Sequence, residues 1–278
     1  MILLIPCLSI LYADDTTLFN SDKHLKDLVT KQNNSYEAAL EWFKVNFLTV
    51  NTSKTEQIYF SLDSAIYNIS KPVKLLGIEL DSRLSWDSHT SQLCVKLSRV
   101  IYLLRKLRLC VSKDMLIMSY YAFFNSLLQY GITLWGHSIG AHRVFLCQKK
   151  AVRPMKNVGM RESCRPIFKE YKIMTLPSMY IFCTLVKVKE NLPYFQTRQD
   201  VHGYNTRNKY KLDLPLVRLQ KTKSSMSCMS ITLFNKLPEN VWNFETNKFK
   251  SMLKEWFKEN PFYTIEEFLA CDTSFITF

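Results

Sequence analysis

Asp14 and Asp15 stand side by side in Tyr12-Ala13-Asp14-Asp15, and adjacent carboxylates repel one another unless something neutralises them. A chain that presents such a pair to solvent does so to hold a cation through carboxylate oxygens, or because the turn that carries the pair is exposed. Both readings stand on the residues alone, so the surrounding elements matter.

The run Ile2 to Tyr12 is rich in β-compatible apolar residues, and Thr16 to Phe19 resumes that character. The pattern predicts a hairpin with Asp14 and Asp15 at its tip. Asp22 is placed to cap a helix on which Leu25, Leu28, Gln32, Tyr36, Leu40, Phe43 and Phe47 recur at intervals of three and four, a stripe suited to cover the hairpin. Short strands are expected around Gln57 to Phe60 and Val73 to Leu80, the latter turning through Asp81-Ser82-Arg83 into Leu84-Ser85-Trp86. From Ser91 the period is helical: Leu93, Leu97, Ile101 and Leu104 share one side, leaving Lys96, Arg99, Lys106 and Arg108 for solvent or phosphate. Ser112 and Asp114 suit the start of a second helix, and a third includes Phe145 to Val152, which Pro154 should end or kink. Further helices are expected over Ser178 to Glu190 and Lys248 to Lys258, with a basic loop over Thr197 to Lys223 between them. In the last stretch, residues 224–278, Trp242, Trp256, Phe275 and Phe278 read most simply as core or clamp residues.

Charge is unevenly spread along the 278 residues. Residues 1–90 carry 8 basic and 11 acidic side chains, whereas residues 91–278 carry 29 basic and 13 acidic, so the net charge of +13 belongs to the second part. That part is the one to attract a polyanion such as nucleic acid. Eight cysteines are scattered singly with no zinc-ligand spacing, as befits free thiols in a reducing cytoplasm or nucleus. The apolar opening lacks the basic flank and cleavage site of a signal peptide. Met115 to Trp135 holds no charged residue, but Ser119, Asn125, Ser126, Gln129 and Thr133 would be costly in lipid. A buried helix is expected there and no membrane partner.

Taken in order, these motifs resemble the reverse transcriptase of non-long-terminal-repeat (LINE-like) retrotransposons. Ser9-Ile10-Leu11 before Tyr12-Ala13-Asp14-Asp15 and Thr16-Thr17-Leu18-Phe19 after it is similar to the palm hairpin of that family. Leu48-Thr49-Val50-Asn51 with Lys54-Thr55 and Ile58-Tyr59-Phe60 resembles the next palm motif. Lys74-Leu75-Leu76-Gly77-Ile78 with Leu80-Asp81, Leu84, Trp86 and His89 resembles the primer grip. Arg165-Pro166-Ile167-Phe168, Leu176-Pro177-Ser178, His202-Gly203-Tyr204-Asn205-Thr206-Arg207 and Phe234-Asn235-Lys236-Leu237-Pro238 resemble segments of such polyproteins farther along, so the likeness spans nearly the whole chain.

The resemblance implies an α+β chain in four parts: a partial palm (1–70) of hairpin and covering helix, a primer-grip-like hairpin (71–92), a helical thumb (93–160) and a basic carboxy-terminal region (161–278). It implies RNA-directed DNA polymerisation, with RNA template and DNA primer as partners and two Mg2+ ions about 4 Å apart as cofactors. Asp14 would be the stronger metal ligand and Asp15 its partner, Tyr12 would pack beneath the turn near the primer terminus, and Lys54 would face the departing pyrophosphate or be an ordinary surface lysine. Gly77 would allow the primer backbone to approach or mark a strand bulge. Trp86 is expected to support the core, and a ligand role is not expected of His89. Lys96, Arg99 and Lys106 would track phosphates. The family's upstream catalytic aspartate and fingers are not represented in the eleven residues before Tyr12. The 278 residues alone are therefore expected not to polymerise, and the hairpin to expose an apolar edge. A non-catalytic nucleic-acid-binding module using the basic helical half is the alternative.

Overall fold

The computed structural model describes residues 7–61, 63, 71–159, 161–202, 207–223 and 225–272. Ile2 to Pro6 of the opening run, Gly203 to Thr206 of the histidine-led string, and Phe275 and Phe278 lie outside them. The chain divides into two compact units, Met1–Gln57 and Ile58–Phe278, so that the grip-like hairpin, the thumb-like helices and the carboxy-terminal region share one unit.

In the first unit, β1 (Leu8–Tyr12) and β2 (Asp15–Phe19) form a two-stranded antiparallel sheet, with Leu8 opposite Phe19 and Tyr12 opposite Asp15. Helix α1 (Leu25–Val45) packs against β2, and Asn20 ties the two: its Nδ2 donates to Gln32 Oε1 at 2.7 Å and its Oδ1 accepts from Ser35 Oγ. The expected capping acid sits two residues before the cap proper. His24 is the N-cap residue, and Asp22 Oδ1 accepts from the backbone N–H groups of Lys23 and His24.

The stripe expected on α1 is only half-buried, and its last member is displaced from it. Phe47 lies past the helix end at φ +58° and is 97% exposed. The cause is the way the helix stops: Leu48 N–H bonds to Phe43 O and Phe47 N–H to Lys44 O, the paired bonds of a Schellman cap, which requires a left-handed residue where Phe47 stands. The strand expected at Gln57 to Phe60 is not found among the described residues.

The second unit opens with the hairpin β3 (Val73–Leu75) and β4 (Ile78–Leu80). Asp81 then organises the descent into helix α2 (Asp87–Leu107): its carboxylate accepts backbone N–H groups of Arg83, Ser85 and Trp86, each at 3.0 Å, and the Ser85 hydroxyl at 3.1 Å. Burial opposes the charge on Asp81, but these donors outweigh it and hold the carboxyl below its usual range.

Leu93, Leu97, Ile101 and Leu104 are buried along α2 as the period predicts. The next helical stretch is α3 (Lys113–Ser119), a π-helical segment (Tyr120–Asn125) and α4 (Ser126–Gln129). Leu116, Tyr120, Phe124 and Leu128 are all buried at strict four-residue intervals. On a pure α-helix that interval drifts by about 40° per step, and the wider π turns keep the four on one side. The buried helix expected over Met115 to Trp135 is thus only half buried, with Met115, Met118 and Phe123 exposed, and it breaks where Gly131 (φ +60°) admits Ile78 of the hairpin. No helix among the described residues is long and apolar enough to cross a membrane.

After α5 (Ile132–Trp135), helix α6 (Ala141–Lys156) packs along α2. Pro154 ends it as expected, within two residues, through a Schellman cap with Asn157 in the left-handed position. Then come α7 (Arg165–Glu170), α8 (Leu176–Glu190), α9 (Arg198–Val201), α10 (Gln220–Lys223), α11 (Met226–Lys236), α12 (Glu239–Trp242), α13 (Thr246–Glu259) and α14 (Ile265–Ala270). One apolar cluster runs from Trp86 to Phe268, so residues 225–272 help to build the same core as α2 and α6. The motifs at Leu176 and Phe234 are structural joints. Thr175 Oγ1 accepts from Ser178 N–H and donates to Phe262 O at 2.5 Å, and Asn235 grips both backbone groups of Leu212 at 2.8 and 2.9 Å.

Candidate active-site turn and nucleic-acid interface

The first hairpin closes in two residues, Ala13 and Asp14, with Ala13 at φ +53°. Two-residue hairpin loops favour positive φ because the primed turns match the twist of the strands they join. Alanine tolerates that region less well than glycine, so the turn carries some strain. Asp14 is therefore a tip residue, and Asp15 is the first residue of β2, directly across the ladder from Tyr12. Both acids are exposed. Tyr12 is 65% exposed and lies beside the turn, not packed beneath it. Leu8, Ile10 and Leu11 of β1 are exposed too, an apolar edge of the kind expected for a sheet that has two strands among the described residues.

Lys54 occupies a 3₁₀ turn (Thr52–Lys54) capped by Asn51, whose Oδ1 accepts from Ser53 N–H at 3.1 Å; the lysine is exposed. Among the described residues no three His, Cys, Asp or Glu side chains gather to hold a metal. A two-metal centre needs carboxylates for both ions, and two acids on one open turn supply oxygen for a single, mostly hydrated Mg2+.

The chain matches no protein-family model, no curated protein and no solved structure. What it can do must come from the geometry.

Gly77 is a turn residue, not a strand bulge. Leu76 and Gly77 take φ +46° and +81° between β3 and β4, the two positive angles of a type I′ hairpin. The hairpin is clamped to the helical body at several points. The Tyr130 hydroxyl donates to Leu76 O, and Ser88 and Gln92 of α2 donate to the Glu79 carboxylate. Trp86 is buried in the core as expected. His89 is also buried, against the Trp135 ring, where desolvation pushes its pKa down; a ring buried in this way is a packing residue.

The outward side of α2 carries the remaining candidates. Lys96, Arg99 and Lys106 are exposed, the last two opposite the buried leucines and Lys96 on the flank, and none is in an ion pair among the described residues. Tyr102, which the sequence reading passed over, stands between Arg99 and Lys106 on the same stripe. It is 64% exposed, with Lys106 Nζ 5.6 Å from its ring centre. Its spacing of three from Arg99 and four from Lys106 was the signal available. An aromatic among unpaired cations can take a base on its ring while its neighbours take phosphates.

Proposed function

We propose that the chain is the carboxy-terminal palm-and-thumb portion of a non-long-terminal-repeat retrotransposon reverse transcriptase, working on RNA template and DNA primer in the cytoplasm or nucleus. The reading rests on one observation above the others. An acid pair on a tight hairpin, a helix over it, a second tight hairpin at Gly77 and a helix with an outward basic stripe follow in the order in which the sequence motifs resemble palm, grip and thumb. On this reading Asp14 and Asp15 contribute two of the carboxylates that the parent enzyme uses to transfer a nucleotide to a primer 3′-hydroxyl. Lys54 stands toward the pyrophosphate, Tyr12 and Gly77 lie along the primer, and Lys96, Arg99 and Lys106 hold phosphates.

These 278 residues hold only part of that machinery. Purified as they stand, they are expected to give no Mg2+-dependent extension of a DNA primer on an RNA template. Extension that disappears in Asp14→Ala would overturn the expectation of a partial site. The unpaired stripe on α2 also favours a second reading, a nucleic-acid-binding module without catalysis. The two readings share α2 and part company at the acid pair.

A further inference from the structure

On the second unit, away from the α2 stripe in sequence, Tyr121, Tyr171, Lys172, Lys254 and Lys258 line an open cleft of about 400 Å³. Its cations outnumber its anions. Lys258 is engaged with Glu255 at 2.7 Å, whereas Lys172 and Lys254 are in no ion pair among the described residues. The nearby Glu170 is taken by Lys113 and Lys156. Glu255 is held below the usual carboxylate range by its hydrogen bond from Lys258, against the pull of burial, and the charges of Lys172 and Lys254 add to the effect. With Glu255 hydrogen-bonded to Lys258, Lys172 and Lys254 have no carboxylate partner among the described residues, which leaves room for an anion.

The placement of Lys172 points the same way. Lys172 N–H bonds to Lys169 O and Ile173 N–H to Phe168 O, a Schellman cap that ends α7 with Lys172 at φ +50°. Glycine fits that position at least cost, and a long side chain there is strained by about 1 kcal/mol. Ile173, fully buried, and the Tyr121 hydroxyl, which donates to Lys172 O at 2.9 Å, fix the strained residue at the cleft. Tyr121 itself comes from the π-helical segment and keeps 39% of its surface exposed. Three separate elements therefore bring two free ammonium groups and a tyrosine ring to one concavity.

We propose that this cleft is a second binding site for single-stranded nucleic acid, in which Lys172 and Lys254 take a backbone phosphate and the exposed ring of Tyr121 takes a base or sugar. The inference rests on the nucleic-acid reading above but on none of its residues. An acidic peptide would satisfy the ammonium groups and leave the ring unused, which is why nucleic acid is the better fit.

The test is fluorescence anisotropy of the 278-residue protein with a labelled single-stranded RNA across a salt series. Lys172→Gln with Lys254→Gln should weaken binding about tenfold and reduce the slope of log affinity against log salt by about 1.4. The same factor should appear in a protein already carrying Lys96→Gln, Arg99→Gln and Lys106→Gln. Tyr121→Ala should cost about tenfold and Tyr121→Phe less, since the latter keeps the ring and loses only the hydroxyl bonded to Lys172 O. If Tyr121→Ala alters the melting temperature, the lysine pair decides, because those two exposed side chains leave the core intact. Unchanged affinity in the lysine pair, with a loss in the α2 triple variant, would overturn the cleft and leave the proposed function standing. No loss in either would overturn both. Polyglutamate displacing RNA as well as unlabelled RNA does would also overturn the cleft assignment.

Discussion

Replacing Lys96, Arg99 and Lys106 together with glutamine is expected to weaken binding of single-stranded RNA or DNA about a hundredfold at roughly 0.1 M salt. The size follows from counterion release. Each cation that neutralises a phosphate contributes about 0.7 to the slope of log affinity against log salt, so removing three should flatten it by about 2. Arg99 and Lys106 project from the side of α2 opposite Leu93, Leu97, Ile101 and Leu104 and Lys96 from its flank, and none is tied to a carboxylate among the described residues. Glutamine is a good helix former, so the fold should survive the change. A salt slope equal to that of the unaltered protein would mean that these charges only solvate the helix. Tyr102→Ala, by contrast, should lower affinity with little change in slope, because stacking is not a counterion effect.

The second large effect is on stability and lies far from any charge. Gln148 is completely buried on α6 and joins three segments. Its Nε2 donates to the Tyr120 hydroxyl and to Met174 O, both at 2.9 Å, and its Oε1 accepts Leu176 N–H at 2.8 Å. Leu176 is the first residue of α8, where a backbone N–H has no partner within the helix. Gln148 supplies that partner while its amide completes the Tyr120 hydroxyl, whose pKa burial drives upward. Gln148→Leu keeps a side chain of comparable bulk but strands a buried donor and two acceptors. At about 1 to 3 kcal/mol for each group left unsatisfied, a loss of at least 3 kcal/mol is expected. For a unit of this size that lowers the melting temperature by about 6 to 12 °C. A fall of under 2 °C would mean that the hub is not a joint of the fold.

Local pattern and long-range packing divide what the sequence made legible from what it hid. The hairpin at Asp14, the buried face of α2, the burial of Trp86 and the stop at Pro154 all follow from spacing, turn chemistry or the missing proline N–H, which act within a few residues. Phe47 did not yield to the same reasoning. Its interval fits the α1 stripe, but the cap that ends the helix rotates it out of register into solvent. Gln148 has the composition of a surface position on a basic helix, and only the arrival of α8 from 28 residues away makes it a core residue. In residues 225–272 the helix over Lys248 to Lys258 was legible and matches α13, whereas the way the segment joins the core was hidden for a related reason. Their helices are short, and their aromatic side chains, such as Phe249, Phe257 and Phe268, find their partners mostly in one another and in α8.

Of the candidate site, the exposed acids and the basic stripe were legible by residue type. Tyr102 and the cleft of Tyr121, Lys172 and Lys254 were not, since the first needs a view along the helix and the second joins three separated elements. The strained backbone at Ala13 and Lys172 was equally invisible, because positive φ at a residue other than glycine is set by the turn or cap around it.

The claim on which the account turns is that Asp14 and Asp15 form a place for divalent metal on the hairpin tip. Amide resonances of the 15N-labelled protein, followed by nuclear magnetic resonance during titration with Mn2+, test it without any need for activity. Weak binding, at roughly millimolar metal, should broaden Tyr12 to Thr16 before other amides, and Asp14→Asn should remove that selectivity. Broadening that spares these residues, or that Asp14→Asn leaves unchanged, would contradict the account and leave only a nucleic-acid-binding chain.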